Sequence, residues 1–428
     1  MDNNLFESLD DDGLQANAKI KVIGVGGGGS NAVQSMLKDK DDLVEYWVMN
    51  TDAQALSKSK CDNKLVLGRN ITRGLGAGGL PSNGKAAAED TYEEIKNIVA
   101  GCDMIFIAAG EGGGTGTGAA PVVARAAKEE GCLVLGIVTR PFGFEGKRRR
   151  TNAIEGISAL KEYVDALIVV SNDQLCNNEG SNGFVDSFAK ADGVLASAVK
   201  TITDIILIHG YINLDFADVK NALTGKGIAM IGLGEASGEN RAIEAAKKAI
   251  SSPLLEASIR GSKTMIVNFT MSNNTELSCC NDVVDYINEE AVGRDNNEVD
   301  IIFGIQLDES LGDTVKVAII ATDFDKEMDF TNPVRIPAAK PKAVEPVKDE
   351  KTLTATEKRI IDNKTSSIVP DFLKGIMSKK QAKNESINDD NDVPVVSTNV
   401  AEAEPDLTHE NADEDDEPVV IPNNPNLN

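Results

Sequence analysis

The most informative segment of this 428-residue sequence reads GGGTGTG and occupies residues 112–118. It follows the apolar run Asp103–Ala109, which is typical of a buried strand, and it precedes an amphipathic stretch. Five glycines in seven residues are costly to order, because glycine loses more backbone entropy on folding than any other residue. A loop of this composition at the end of a strand indicates that the backbone approaches a ligand closely.

A second glycine-rich loop, GVGGGGSN, occupies residues 24–31. It ends the predicted strand Ile20–Val25 and opens a predicted helix, so free backbone N–H groups and the positive end of the helix dipole would face a phosphate. The spacing also fits G-x-G-x-x-G, with Asp52 at the end of the next predicted strand, as in dinucleotide-binding proteins. A merely tight turn is the alternative interpretation.

The remaining pattern predicts an α/β fold. Between residues 19 and 171 apolar strands alternate with amphipathic stretches, which favours a Rossmann-like parallel sheet covered on both faces. Apolar residues at helical spacing from Phe184 to Ile206 predict one long buried helix, followed by a smaller α/β unit that this helix joins to the first. The other predicted strands are Val44–Met49, Leu133–Val138, Ala166–Val170, Ile228–Ile231, Thr264–Phe269, Asp300–Ile305 and Val315–Ala321. The other predicted helices are Asn31–Leu37, Lys85–Val99, Ala119–Glu130, Glu239–Ile250 and Ser278–Glu289.

Composition excludes several classes of protein. The chain has 68 acidic and 43 basic residues, a formal net charge of −25, whereas a nucleic-acid binder needs a basic surface; we therefore expect no nucleic-acid partner. Two histidines and six cysteines without a C-x-x-C pair predict neither a protein-held metal site nor a disulfide framework. No apolar run approaches about 18 residues, so we expect a cytoplasmic protein without direct membrane insertion.

One motif is a decoy. Residues 79–85 fit the Walker pattern G-x-x-x-x-G-K, but Ala86 stands where Ser or Thr must reach Mg²⁺. We therefore do not expect a Walker-type phosphate site there.

The loop at residues 112–118 has the sequence of the tubulin/FtsZ signature, and the chain resembles the FtsZ family of bacterial division GTPases along nearly all of residues 19–325. The resemblance implies a flexible segment at 1–18, a GTP-binding domain at 19–183, a central helix at 184–210 and an activation-type domain at 211–325. The matching stretches are Lys21–Asn31, Asn50–Leu56, Thr72–Gly78, Ala108–Ala124, Val138–Arg149, Asn213–Val219, Gly238–Ala246 and Ser252–Glu256.

The resemblance also implies which residues bind GTP or GDP, with Mg²⁺ accompanying the nucleotide. The residues expected to face the phosphates are Gly27, Gly28, Gly29, Ser30, Asn31, Gly114, Thr115 and Gly116. Glu145 and Arg149 match the ribose and phosphate side. Asp192, with Phe188 and Asn172 nearby, matches the group that reads guanine. A carboxylate there would accept the ring N–H and amine of guanine and reject adenine; a solvated helix residue is the alternative for Asp192.

Residues 213–218, Asn-Leu-Asp-Phe-Ala-Asp, resemble the catalytic loop of the family. Asn213, Asp215 and Asp218 are the candidate catalytic residues, and the two aspartates would project from one face of a helix start. Helix capping is the alternative interpretation. In the family this loop completes the active site of the next subunit, so the resemblance implies a head-to-tail homopolymer that hydrolyses GTP at its junctions.

Three positions depart from the pattern of the family. Glu111 precedes the signature where the family usually has an apolar residue such as Met, and Leu80 replaces a frequent Asn. The third departure is Thr224-Gly225-Lys226-Gly227, which follows the catalytic loop.

The sequence after residue 325 has the composition of a disordered tail, because it has too few apolar residues to offset chain entropy. We expect a linker at 326–365, a disordered segment at 378–428, and strong acidity from 384, since residues 384–428 contain 13 acidic and no Lys or Arg residues. The apolar island at 366–377 is similar to the peptide by which FtsZ binds membrane-tethering and regulatory division proteins. This resemblance predicts a division ring at midcell.

The leading hypothesis is therefore a filament-forming GTPase of cell division. A tubulin-like filament for DNA segregation is the second hypothesis, since it shares the signature loop. A nicotinamide-dependent oxidoreductase that uses Gly24–Gly29 and Asp52 is the third, but it leaves residues 112–118 unexplained.

Overall fold

A computed structural model describes residues 18–177, 184–208, 210–252, 254–255, 257–273, 275–276, 278–292 and 299–324. The predicted linker, partner-binding peptide and acidic segment, residues 326–428, lie outside the described residues, as do residues 1–17.

Ten strands build the described part of the molecule. They are β1 (Ile20–Val25), β2 (Val44–Asn50), β3 (Asn63–Val66), β4 (Met104–Gly110), β5 (Leu133–Arg140), β6 (Ala166–Ser171), β7 (Gly227–Ser237), β8 (Ser262–Met271), β9 (Asp300–Leu307) and β10 (Thr314–Phe324). They form one sheet in the order β3-β2-β1-β4-β5-β6-β7-β10-β8-β9.

The relative direction of neighbouring strands changes at β7. From β3 to β7 all neighbouring strands are parallel. Beyond β7, β10 is antiparallel to both of its neighbours, while β8 and β9 are parallel. Only three positions pair β6 with β7, Ala166–Ile168 against Gly227–Ala229, whereas eight pair β7 with β10. The two predicted units are therefore joined by a shared strand as well as by the long helix.

Helices cover both faces of the parallel part. They are α1 (Gly26–Met36), α2 (Ala53–Lys58), α3 (Arg69–Thr72), α4 (Pro81–Asp90), α5 (Tyr92–Val99), α6 (Thr115–Glu129), α7 (Lys147–Lys161), α8 (Asn172–Asn177), α9 (Phe184–Leu207), α10 (Phe216–Leu223), α11 (Arg241–Ile250) and α12 (Ser278–Ala291). One hydrophobic cluster packs α1, α9 and α10 on the sheet, a second packs α4 to α7 on the opposite face, and a third lies under α11 and α12. The predicted fold class is confirmed.

Among the described helices, none is both long enough and apolar enough to cross a bilayer.

The single predicted helix at Lys85–Val99 is wrong, because the chain forms α4 and α5 with a break at Thr91. The Thr91 hydroxyl donates to the carbonyl of Ala87 at 2.8 Å and accepts from the N–H of Gly68 at 2.7 Å. This side chain thus joins the end of α4 to the loop after β3, and the backbone turns there.

Two helices begin earlier than predicted, α1 at Gly26 instead of Asn31 and α6 at Thr115 instead of Ala119. Their first turns are made of glycine and threonine, which carry no apolar periodicity from which a helix could be recognised. Residues 26–31 of the first glycine-rich loop and residues 115–118 of the signature loop therefore belong to the first turns of these helices.

Candidate active site

The two glycine-rich loops lie side by side, because β1 and β4 are neighbours in the sheet and both loops follow carboxyl ends of these strands. Gly26 has a φ of 73°, and a side-chain carbon there would lie 2.6 Å from the backbone nitrogen of Gly116. A side-chain carbon at Gly28 would lie 3.1 Å from the Cα of Gly110. Glycine at these positions lets the two loops touch through their backbones and form one surface.

Part of this surface is free to contact a ligand. Apart from their own neighbours along the chain, no described residue has an atom within 4 Å of where a side-chain carbon at Gly27 or Gly113 would be, so both glycines border open space. The Ser30 hydroxyl is buried and has no hydrogen-bond partner among the described residues. The N-termini of α1 and α6 supply unpaired backbone N–H groups beside it. An oxyanion such as a phosphate would satisfy these donors.

A third loop, residues 74–79, packs against the signature loop, although sequence reasoning did not assign it a contact. A side-chain carbon at Gly114 would lie 2.8 Å from the Cβ of Ala77. The Thr51 and Thr115 hydroxyls are 2.6 Å apart, and the Thr51 carbonyl accepts from the N–H of Gly76 at 3.2 Å. The signal that could have revealed this loop is its run of glycines, four of which have positive φ: Gly74, Gly76, Gly78 and Gly79.

The Walker-like decoy at residues 79–85 forms the end of this loop and the first turn of α4. A side-chain carbon at Gly84 would overlap the carbonyl of Gly114, and one at Gly118 would overlap the carbonyl of Pro81. These two glycines serve the close packing of α4 on α6.

The predicted guanine-reading group lies at the junction of α1 and α9. Burial raises the pKa of the Asp192 carboxyl to about 6, and a hydrogen bond with the Asn31 side chain opposes that rise. The Phe188 ring meets the Phe142 ring edge to face, with centroids 5.0 Å apart. Asn172 begins α8, and its buried Oδ1 has no partner within the described ranges. The structure thus pairs Asn31 with Asp192 and leaves polar atoms unsatisfied nearby.

Glu145 and Arg149 lie together at the start of α7. The Glu145 carboxylate accepts from the N–H of Phe142 at 2.9 Å and forms an ion pair with Arg149, one helical turn away. The loop at Gly112 packs on the backbone carbonyl of Arg149. Both residues therefore border the signature loop, and their contacts with a ribose or phosphate remain predictions.

The structure separates the three predicted catalytic residues from the two glycine-rich loops. Asn213 and Asp215 lie past the end of α9, where Asn213 Oδ1 accepts from the N–H of Gly210 at 2.5 Å. The Asp215 carboxylate caps α10 by accepting from the N–H of Asp218 at 2.8 Å. From Asp192 to its last residue, α9 extends roughly 22 Å at the usual rise of a helix. One chain thus carries these residues far from its own glycine loops.

Asp52, the acid on which the oxidoreductase hypothesis depends, has a structural use. Its carboxylate caps α2, since Oδ1 accepts from the N–H groups of Gln54 at 2.9 Å and Ala55 at 3.0 Å. The position of Asp52 is thus accounted for by helix capping without a ribose contact. In the described ranges, no three His, Cys, Asp or Glu side chains cluster so that they could hold a metal ion.

Comparison with known proteins places this arrangement in a family. The model of the Tubulin/FtsZ family GTPase domain matches residues 19–179, and that of the FtsZ family C-terminal domain matches residues 227–325. The empty FtsZ dimer of M. jannaschii is 40% identical, with a TM-score of 0.67 over 72% of this chain and 89% of that chain. A mutant of the same FtsZ gives 40% identity and a TM-score of 0.69 over 74% and 94%.

A GTPγS-bound protofilament of CetZ2 from Haloferax volcanii is 20% identical, with a TM-score of 0.62 over 71% of this chain and 92% of that chain, and shows the fold alone. The identity with FtsZ is twice as high and extends through both domains in the same order. This chain therefore belongs to the FtsZ branch of the tubulin/FtsZ family of GTPases.

Proposed function

We propose that this protein assembles head to tail into filaments and hydrolyses GTP at each junction between successive subunits. Its family consists of GTPases that bind GTP and GDP; the proposal concerns where the active site is completed. The observation that carries it is the separation along α9 of Asp215 and Asp218 from the glycine loops. A neighbouring copy can bring its own loop to the nucleotide, whereas the same chain cannot without refolding.

Exposed apolar side chains at both ends support such a junction. Beside the phosphate loops Leu75 is 84% exposed, and beside the catalytic loop Tyr211 is 77% exposed. Other exposed apolar side chains lie close to both in the sequence, Ile71 and Leu80 around Leu75 and Ile208 near Tyr211, and a group of this kind favours an interaction site more than a single residue would. The two surfaces differ, so the contact is heterologous and propagates into an open filament. The M. jannaschii FtsZ structure, described as a dimer, supports self-association.

At the junction, catalysis would rest on positioning. The Asp218 carboxylate accepts no hydrogen bond from the described residues, so it can hold the attacking water in line with the γ-phosphate, with Asp215 beside it. The N-termini of α1 and α6 and the Thr115 hydroxyl would stabilise the charge on the phosphates. Mg²⁺, held mainly by phosphate oxygens and water, would neutralise part of the same charge.

The cellular role that we propose is assembly of the division ring at midcell. The match of the FtsZ C-terminal domain supports it. Recruitment through residues 366–377 to membrane-tethering and regulatory division proteins is part of the proposal and rests on sequence alone. The segregation-filament alternative stays open because other tubulin-like filament proteins share the fold. Fluorescence microscopy of the tagged protein separates the two roles, since a ring at midcell supports division and filaments that follow DNA support segregation.

Two inactive variants test the shared site. Asp218→Ala keeps its phosphate loops and should bind GTP but hydrolyse little. Gly27→Asp places a carboxylate in open space at the start of α1, where it suits the helix dipole yet repels phosphate. A mixture of the two should recover hydrolysis, because some junctions pair an intact pocket with an intact loop. In a random polymer of equal amounts of the two variants, about one junction in four pairs an intact pocket with an intact loop. Hydrolysis can therefore recover to at most about a quarter of the wild-type rate.

Gly27→Ser is the matched control, since it adds a side chain without charge and should retain most GTP binding. Co-sedimentation must show that Gly27→Asp enters or caps filaments. Hydrolysis by Asp218→Ala alone at the wild-type rate would overturn the proposal, and so would a mixture that co-sediments without any recovery.

A further inference from the structure

Glu111 is a buried acid that the GTPase mechanism above does not use. It directly precedes the signature loop. Its side chain is 5% exposed, and neither carboxyl oxygen makes a hydrogen bond of good geometry with the described residues. Burial of an ionised carboxylate without partners costs far more than burial of the neutral acid.

The fold makes room for this side chain. A side-chain carbon at Gly156, on α7, would overlap both Oε2 of Glu111 and the methyl group of Thr117. Glycine at position 156 thus lets the carboxyl group fit between α6 and α7. The backbone N–H of Glu111 donates to the carbonyl of Thr139 on β5 at 2.9 Å, which holds the residue at the end of the strand.

The same surroundings position the signature loop. The Thr117 hydroxyl accepts from the N–H of Gly112 at 2.8 Å, and the Asn152 side chain donates to the carbonyl of Gly112 at 3.3 Å. Gly112 is the residue between Glu111 and the open position at Gly113. A movement of the Glu111 carboxyl group away from Thr117 would therefore disturb the backbone that faces the phosphates.

Among the described residues, no charged side chain compensates Glu111. Burial raises the pKa of Glu111 to about 7, and the nearby Thr117 hydroxyl opposes that rise. The charged residues on the elements around it, none of which contributes to this shift, are Arg125, Lys128 and Glu129 on α6, Arg140 on β5, and Lys147, Arg148, Arg149, Arg150, Glu155 and Lys161 on α7.

We propose that Glu111 is a positioning residue that couples proton binding to nucleotide binding, so that the neutral acid holds the signature loop in its phosphate-binding form. The carboxylate would leave its apolar site for water and would also be repelled by a bound triphosphate. GTP then favours the protonated form, and by reciprocity protonation favours GTP. The inference rests on nucleotide binding by residues 112–118 and is independent of filament assembly.

The test is the GTP affinity of the full chain between pH 6 and 8, measured by equilibrium dialysis below the concentration at which filaments form. Wild-type affinity should fall about tenfold across this range in excess of the change seen for Glu111→Gln, because the fraction of free protein with a neutral acid of pKa about 7 falls about tenfold between pH 6 and pH 8. Glu111→Gln preserves the shape and cannot ionise, and it also corrects for titration of the γ-phosphate. Glu155→Gln, at an exposed acid beside Gly156, should keep the wild-type profile.

Parallel profiles for wild type and Glu111→Gln would overturn the inference. If circular dichroism shows that Glu111→Gln is unfolded, Glu111→Met, which has a side chain of similar length and cannot ionise, should lack the excess fall in affinity instead. A wild-type profile for Glu111→Met would also overturn the inference. Failure of the wild-type protein to bind GTP at any pH would overturn the nucleotide site itself, whereas loss of filaments alone would leave this inference standing.

Discussion

The carboxylate of Asp215 accepts a hydrogen bond from the backbone N–H of Asp218 at 2.8 Å. The two aspartates that the sequence pairs as catalytic groups therefore have different structural roles. Asp215 has the capping role, at the start of α10. The Asp218 side chain makes no such contact with the described residues. Stability measurements can consequently separate a structural role from a chemical one.

We expect Asp215→Ala to lower the free energy of unfolding by about 1 kcal/mol, the usual cost of a lost N-cap. Asp218→Ala should cost less than Asp215→Ala, because its half-buried side chain accepts no hydrogen bond from the described residues and contributes only a favourable charge in the first turn of α10. Both should reduce GTP hydrolysis strongly. Urea denaturation and phosphate release measure the two effects, and Asp215→Asn, which keeps a capping oxygen, is the control for stability. A large loss of stability in Asp218→Ala would contradict this division of roles.

Because of Asp192, GTP binding should weaken at acidic pH. Its pKa of about 6 means that the free protein carries the carboxylate at pH 7 and loses it as the pH falls through 6. Only the carboxylate can accept both donors of guanine, so GTP affinity should decrease below pH 6. Asp192→Asn should bind GTP at least about tenfold more weakly and lose this dependence. If Glu111→Gln still loses GTP affinity below pH 6, this loss is independent of the pH dependence that Glu111 causes between pH 6 and 8.

The contribution of Asp192 to folding stability changes with pH in the opposite direction to its contribution to GTP affinity. Because the folded state raises the pKa of Asp192 above its ordinary value of 3.8, its contribution to stability is present below that value and is lost as the pH rises through about 6. Thermal unfolding of wild type and Asp192→Asn between pH 4 and 7 should therefore diverge as the pH rises, with the variant the more stable.

The Thr51 hydroxyl should fix the signature loop for binding. Thr51→Val keeps the shape of the side chain but removes the partner that the Thr115 hydroxyl meets at 2.6 Å. We expect the free energy of unfolding to fall by about 1 kcal/mol and GTP affinity to fall several-fold. Thr51→Ser should restore both. Unchanged affinity in Thr51→Val would mean that Thr115 holds its position without this bond.

Deletion of residues 366–377 should leave GTP hydrolysis and filament assembly intact while it abolishes recruitment to midcell, because a short apolar island suits docking in a groove of a partner. Phosphate release, light scattering and microscopy of the sole cellular copy test this. Deletion of residues 384–428, which removes 13 acidic side chains, is the control that should keep recruitment. Normal rings without residues 366–377 would refute the role of the island.

The parallel half of the fold was predictable because buried strands have near-continuous apolar sequences. Predicted and observed strands agree at Ile20–Val25, and the long helix begins at Phe184 as expected. The short strand β3 and the helix α7 were not predicted. The first turn of α7 is a run of basic residues, Lys147–Arg150, and β3 spans only four residues, too few for a period to emerge. The pairing of β7 with β6 depends on distant residues and leaves no local signal.

The parts of the candidate site that consist of glycine-rich loops were predictable from the sequence. The sequence indicated the two glycine-rich loops, whose binding of phosphate stays a prediction, but the side chains that support them, Thr51 and Thr117, look like ordinary threonines until the loops are folded together. Asp52 illustrates the opposite error, since its spacing fits a ribose-binding acid while its carboxylate caps a helix. The same is true of the Walker pattern at residues 79–85, whose glycine at position 84 serves helix packing.

The short ladder between β6 and β7 makes the sheet mechanically uneven. A force that pulls the amino-terminal strands away from the carboxy-terminal ones meets three paired positions there, against eight at the next boundary between β7 and β10. Few backbone hydrogen bonds therefore cross this boundary, whereas one hydrophobic cluster continues across it, from Ile168 on β6 to Ile231 on β7. Cohesion between the two halves of the sheet thus rests there more on side-chain packing than on backbone pairing.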